Sequence, residues 1–391
     1  MAHIVSLSDI HFGEPYSLLW RPDLPLYAGK MIGYLAGGHI DKLILVGDVW
    51  ELAAPEEPDA AFPIARAFFH ALTGDRSHGT DIGELIWVPG NHDHELWTHY
   101  CQTIGKPLDA LDGWSLWDSG DAADDAAQHL LANMLGPDVL ERIGKVTVYN
   151  PFHVERLGKG SVVFHHGQYF DDMILGKAGL DEFKARFTSV ISGAWAKPNA
   201  PMQATDAADL EARCAPFIDA VWGRTTDRQT LKTQAWEFLT RFRKWSSCNA
   251  KGSADVPQFA ALGNTEQDYT LPGEADNIRW FLRSFVFKNG LAPDPVSLVY
   301  GHVHRGDMFD LDVDGRRVRC FNTGGWITSH KGTVPHTHVV LIDEDGNFDQ
   351  RAIRFPDSVI DESIQHGGGV RALDVPDVTT GEEQHDNTDL F

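Results

Sequence analysis

Five short segments of this chain carry side chains that bind metal ions or move protons. Asp9 and His11 stand as D-x-H, and Asp48 follows Gly47 in GDVWE. Asn91, His92 and Asp93 follow Gly90, and His165 and His166 precede Gly167. His302 and His304 follow Gly301 as G-H-x-H. Residues i and i+2 of extended backbone point the same way, so each x-separated pair can approach one centre. Mixed nitrogen and oxygen donors suit Mn, Fe, Zn, Co or Ni better than Ca or Mg. The set is too large for one first-row ion. It suits two ions about 3.5–4 Å apart that share a carboxylate, and Asp48 is the natural bridge. Two divalent metal ions, with Mn preferred, are the expected cofactor.

The elements that must position these residues are legible around them. Apolar runs at 3–9, 42–48, 84–93, 161–167 and 296–304 each end in one of the five segments. Short Val, Ile, Leu and Phe runs bounded by turns read as buried strands. Further strands are expected at 316–325 and 337–348, the second ending in an Asp-Gly hairpin turn. Segments 58–73 and 123–135 have helical spacing, and alternating strand and helix signals imply a layered α/β domain. In such folds the carboxyl ends of strands line the binding crevice. We therefore expect a core formed by 1–171 and 291–373. A helical insertion or cap is expected at 172–290, where four amphipathic stripes occur, among them Ile278, Phe281, Leu282, Phe285 and Val286. A smaller insertion is expected at about 103–145. The stretch 374–391 carries acidic residues and no Lys or Arg, and is expected to be a solvated, disordered tail.

The ordered set D-x-H, G-D, G-N-H-D, H-G and G-H-x-H resembles the calcineurin-like metallophosphoesterase superfamily over about 3–170 and 295–345. The resemblance implies a four-layer sandwich of two mixed β-sheets flanked by helices. It places one ion on Asp9, His11 and His304, the other on Asn91, His166 and His302, and Asp48 between them. His166 is chosen over His165 because the family's ligand commonly precedes Gly. It implies hydrolysis of a phosphodiester or pyrophosphate bond by attack of a metal-bridging hydroxide. His92, one residue past Asn91, is expected to face the substrate and to protonate or stabilise the leaving group. Glu51, three residues after Asp48, occupies a position where relatives often carry an acid that orients that histidine. Asp93 is expected to brace the turn.

The substrate is less sharply drawn. The chain lacks the GDxVDRG and GNHE of the superfamily's phosphoprotein phosphatases. GDVWEL, HHGQYFDD and NTGGW are closest in flavour to UDP-2,3-diacylglucosamine pyrophosphohydrolases, which however carry Arg where this chain has His92. Arg305 and Tyr169 are candidate substrate-binding residues, and Asp171, Asp172 and Trp326 are candidates to line the pocket. The expected partner is a phosphorylated small molecule or nucleotide-type substrate. The chain has 391 residues with 33 Lys plus Arg against 56 Asp plus Glu, a formal charge of −23. That balance argues against general binding to nucleic acid or an anionic membrane. Residues 224–251 nevertheless hold a basic island including Arg224, Arg228, Lys232, Arg241 and Arg243, so a nuclease of the same superfamily is the alternative. A non-catalytic binding scaffold on this fold is a third reading. Cys101, Cys214, Cys248 and Cys320 show no metal or disulfide spacing. No signal-peptide pattern or long apolar run is present, and a reduced cytoplasmic setting is expected.

Overall fold

The computed structural model describes residues 3–14, 17–20, 23–52, 61–74, 79–104, 113–119, 125–168, 274–288, 290–327, 337–353 and 355. Most of the interval 172–290 and all of 374–391 lie outside the described residues, as does Tyr169.

Twelve described strands form two mixed sheets. The first has seven strands in the order β12-β11-β1-β2-β3-β5-β4. These are β1 (Ile4–Leu7), β2 (His39–Val46), β3 (Asp81–Val88), β4 (Trp114–Asp118), β5 (Ile143–Val148), β11 (His338–Ile342) and β12 (Phe348–Ala352). β1, β2, β3 and β5 run parallel, with antiparallel partners at both edges. The second sheet has five strands in the order β6-β7-β8-β10-β9. They are β6 (Phe152–Leu157), β7 (Gly160–His165), β8 (Val296–Tyr300), β9 (Gly306–Val313) and β10 (Arg316–Thr323). Here β7, β8 and β10 are parallel.

Alternation of side chains along each strand explains the layering. In the first sheet Val5, Leu7, Leu43, Leu45, Leu85 and Trp87 point to one face. They pack on helices α1 (Leu24–Ala36), α2 (Ala61–Thr73), α3 (His94–Ile104), α4 (Asp125–Met134) and the short α5 (Pro137–Leu140) through residues such as Ile32, Phe68, Trp97 and Leu131. The intervening residues Ile4, Ile44, Val46, Ile86 and Val88 point the other way, onto Val162, Phe164, Val299 and Phe321 of the second sheet. The far face of that sheet, with Val163, Leu298 and Val318, is covered by α6 (Glu274–Phe281) and the π-helical turn that continues it (Leu282–Phe287). The order is helix, sheet, sheet, helix. This is the α/β sandwich of two mixed sheets that the sequence implies. Strands buried on both faces need apolar residues throughout, which is why these runs are nearly continuous.

Three details depart from the sequence expectations. β4, α4 and α5 fall within 103–145, and β4 extends the first sheet as an edge strand against β5. β5, β6, β9 and β12 are strands that the apolar-run reading passed over. Ile278, Phe281, Leu282 and Val286 are buried against the second sheet. Among the described residues no helix is long and apolar enough to cross a membrane.

Candidate metal centre

All five site-bearing segments lie just past the carboxyl ends of parallel strands. Asp9 and His11 follow β1, Asp48 follows β2 and Asn91 to Asp93 follow β3. From the second sheet, His166 follows β7, and His302 and His304 follow β8. The loops after β1 and β2 stay paired beyond their strands. His11 and Phe12 N–H groups donate to the carbonyls of Asp48 and Val49 at 2.9 and 2.8 Å, and Glu51 N–H donates back to Phe12 at 2.9 Å. This pairing brings Glu51 beside His11. The two sheets then meet over the centre, where His302 N–H donates to both carboxylate oxygens of Asp9 at 2.9 Å.

Two donor groups result. Asp9, His11 and His304 form one, and Asp48, His166 and His302 the other, with the ligand atoms of each within 4.8 Å of one another. In the first, His11 Nε2 is 3.1 Å from His304 Nε2, and His304 Nε2 is 3.3 Å from Asp9 Oδ1. In the second, His166 Nε2 is 3.0 Å from Asp48 Oδ2 and 3.1 Å from Asn91 Oδ1, and 3.3 Å from His302 Nδ1. Donors about 2.0–2.1 Å from one ion stand about 2.8–3.0 Å apart in octahedral geometry and about 3.3–3.4 Å apart in tetrahedral geometry. The observed spacings fall within that range. Asp48 Oδ2 is also 3.8 Å from His11 Nε2, so it lies between the groups. The donor set fits divalent ions.

The backbone is held in an uncommon conformation at these positions. Asp9, His11, Asp48, His302 and His304 have φ of 51°, 50°, 51°, 73° and 51°, and among the described non-glycine residues only Asp314 joins them. Left-handed backbone at a non-glycine residue costs free energy and clusters at functional sites. Asp and His are among the non-glycine residues that adopt it most readily.

Glu51 faces a third cluster with His11 and His92. It accepts from His11 Nδ1 at 2.9 Å and from His92 Nδ1 at 2.9 and 2.7 Å through its two oxygens. His92 is in neither ion group, its Nε2 lying 3.9 Å from Asp48 Oδ2. Its backbone N–H donates to Asp48 Oδ1 at 2.7 Å. Asp93 accepts from the N–H groups of Gly90 and Val49 at 2.7 and 2.9 Å, and so pins the turn after β3 to the loop after β2. His165 points away from the centre; its ring lies 4.6 Å from that of Phe281, and its Nδ1 accepts from Gly167 N–H at 2.9 Å. Trp326 is fully buried among core residues, and its backbone N–H donates to the Asp9 carbonyl at 3.0 Å. Arg305 follows His304 directly. Its Nη2 donates to Asp307 at 3.0 Å, while its buried Nη1 has no hydrogen-bond partner among the described residues.

The charges of the cluster are interdependent. Burial opposes ionisation of Asp48, but the imidazoliums of His166 and His92 outweigh it and hold its carboxyl well below the usual range. Burial likewise opposes protonation of His92 and His166. The carboxylates of Glu51 and Asp48 outweigh it and push His92 up to about 10, and Asp48 pushes His166 up to about 9. For His11 burial prevails over the bond to Glu51, and its pKa falls. Burial, then the charge of Asp48, push Asp93 up to about 7.

These shifts have a definite sign. Raised histidines stabilise the metal-free fold fully below their ordinary pKa of about 6.5, and that contribution is lost as pH rises through their folded values. The melting temperature of chelator-treated protein should therefore fall between about pH 6.5 and 10. An ion held by His166 would have to displace its proton, so apparent metal affinity should rise with pH by up to about tenfold per unit as far as about 9. Calorimetric titrations at several pH values check both, and a pH-independent affinity would contradict the assignment.

No family model matches the sequence, and no curated protein matches it either. Solved structures similar to the chain include a single mutant of Vps29 from Entamoeba histolytica. It is 10% identical with a TM-score of 0.28, over 90% of this chain and 99% of that one. Another is hypothetical protein PH1004 from Pyrococcus horikoshii OT3, 11% identical with a TM-score of 0.34, over 93% of each chain.

Proposed function

We propose that this chain is a calcineurin-like metallophosphoesterase that hydrolyses a phosphodiester or pyrophosphate bond at a dinuclear metal centre. The observation that carries the reading is the pairing of two donor groups around Asp48 with an imidazole, His92, that belongs to neither group but is gripped by Glu51. Asp9, His11 and His304 would hold one ion, Asn91, His166 and His302 the other, and Asp48 both. Bound divalent ions supply Lewis acidity toward phosphoryl oxygens and an acidified water for attack on phosphorus.

The chain's own residues do the rest. Glu51 fixes the His92 ring through Nδ1 and leaves Nε2 on the side of the centre. It also keeps the imidazole protonated at neutral pH, so a proton stands ready for the leaving oxygen. Arg305 offers its unpartnered Nη1 to a phosphoryl oxygen, a charge-assisted bond that Asp307 orients from the other side. The expected substrate is a phosphorylated small molecule or nucleotide.

Chelation followed by Mn²⁺ add-back should abolish and then restore hydrolysis of bis(p-nitrophenyl) phosphate. A protein that binds Mn²⁺ but turns over no phosphate ester would instead support a binding scaffold.

A further inference from the structure

The two ion positions differ in what stands behind their ligands. Behind Asp9 and His11 the structure builds a continuous outer layer. The Ser8 hydroxyl donates to Asp9 Oδ2, and the Thr323 hydroxyl is in hydrogen-bond contact with Ser8 Oγ. The Thr323 hydroxyl donates to the Tyr300 carbonyl at 3.2 Å, so its oxygen is fixed against Ser8 while the Ser8 proton serves Asp9. Ser8 and Thr323 are fully buried and stand just past β1 and at the end of β10, so the contact joins one sheet to the other. The Glu51 carboxylate accepts from His11 Nδ1 at 2.9 Å. Behind the second position the corresponding acceptor is neutral: His166 Nδ1 donates to the carbonyl of Val46 at 2.9 Å. The non-shared oxygen ligand is neutral too, an Asn91 amide where the first position has the Asp9 carboxylate.

A carboxylate on Nδ1–H makes Nε2 a stronger donor than a neutral carbonyl does, and outer partners fix the ligand's orientation before the ion arrives. The Asp9 carboxylate also adds Coulombic attraction at the first position that the neutral Asn91 amide does not add at the second, whereas the charge of Glu51 is largely met by the imidazolium of His92. Resting on the dinuclear reading above, we infer that the positions are unequal: the Asp9–His11–His304 position fills first, and Ser8, Thr323 and Glu51 are the positioning residues that set the difference. Ser8 and Thr323 belong to no motif that the sequence makes visible.

The test uses the metal-free full-length protein titrated with Mn²⁺ by calorimetry, with free ion followed by electron paramagnetic resonance. Two events are expected, the first at least about tenfold tighter. Ser8→Ala and Glu51→Gln should each weaken the first event about 10–100-fold and leave the second nearly unchanged. Thr323→Val, which keeps the shape of the side chain, should shift the first event in the same direction by less. His304→Ala should remove the tight event and His302→Ala the weak one. Far-UV circular dichroism and melting in chelator show which variants are folded. A single event for both ions, equal weakening of both by Ser8→Ala and Thr323→Val, or survival of the tight event in His304→Ala would overturn the inference while leaving the dinuclear reading standing. Absence of any Mn²⁺ binding by the unaltered chain would end both.

Discussion

A His92→Ala variant is expected to bind the same number of metal ions as the unaltered chain and to lose about 10²–10⁴ in kcat. The first half follows from geometry. His92 presents Nδ1 to Glu51, and its Nε2 lies 3.9 Å from Asp48 Oδ2, against 3.0 Å for the candidate ligand His166. The bond it makes to the Asp48 carboxylate comes from its backbone N–H, which alanine retains. The second half follows from charge. A half-buried imidazole pushed up to about 10 by Glu51 and Asp48 is an acid at neutral pH, and the departing alkoxide needs one. The loss should grow with the basicity of the leaving group. It should be smaller for bis(p-nitrophenyl) phosphate, whose leaving group needs little help, and larger for an alkyl ester of the same phosphate. Metal analysis beside steady-state kinetics checks both halves. Metal lost together with activity would make His92 a ligand instead.

Gly301→Ala is expected to empty the Asp9 position of metal. A Cβ on Gly301 would lie 2.8 Å from Ser8 Cβ and closer still to Asp9 Oδ2 and Ser8 Oγ. Neither neighbour is the free end of a flexible chain. Asp9 is held by His302 N–H and by Ser8, and Ser8 is in turn in contact with Thr323. Relief must come from moving β8 away from β1, at an overpacking cost of about 1–3 kcal/mol. The readouts are metal content and the melting temperature in chelator. Gly158→Ala, in an exposed turn with nothing within 4 Å of the added carbon, serves as the control and should change neither. Normal metal content in Gly301→Ala would show that the two strand ends yield more easily than their packing implies.

Much of this arrangement is legible in the order of the amino acids. Asp9, His11, Asp48, Asn91, His166, His302 and His304 each follow an apolar run and sit near a glycine, and the structure brings them together. The glycine of G-H-x-H is there because the Asp9 carboxylate occupies the space a side chain would need. Other features leave no trace. β1, β2, β3, β7 and β8 are alike in composition because each is buried on both faces, so nothing in them tells which sheet a strand joins. β5 (IGKVTV) and β6 (FHVERL) carry Lys145, Glu155 and Arg156 among their apolar residues, which breaks the continuous run. Ser8 and Thr323 are common residue types whose role depends on contact across 315 positions of sequence. The double grip of Glu51 on His11 and His92 depends on loops that continue pairing past their strands. Tyr169 and the basic residues of 224–251 lie outside the described residues.

The centre takes Asp9, His11, Asp48, Asn91 and His92 from one sheet and His166, His302 and His304 from the other. Ions held there would rivet the two halves of the sandwich together at one end. Any ligand that binds only the folded state adds to stability in proportion to the logarithm of its concentration over its dissociation constant. Such a rivet would make the endurance of the whole fold follow the supply of metal, and a chain starved of it would be lost to unfolding and proteolysis as well as to inactivity.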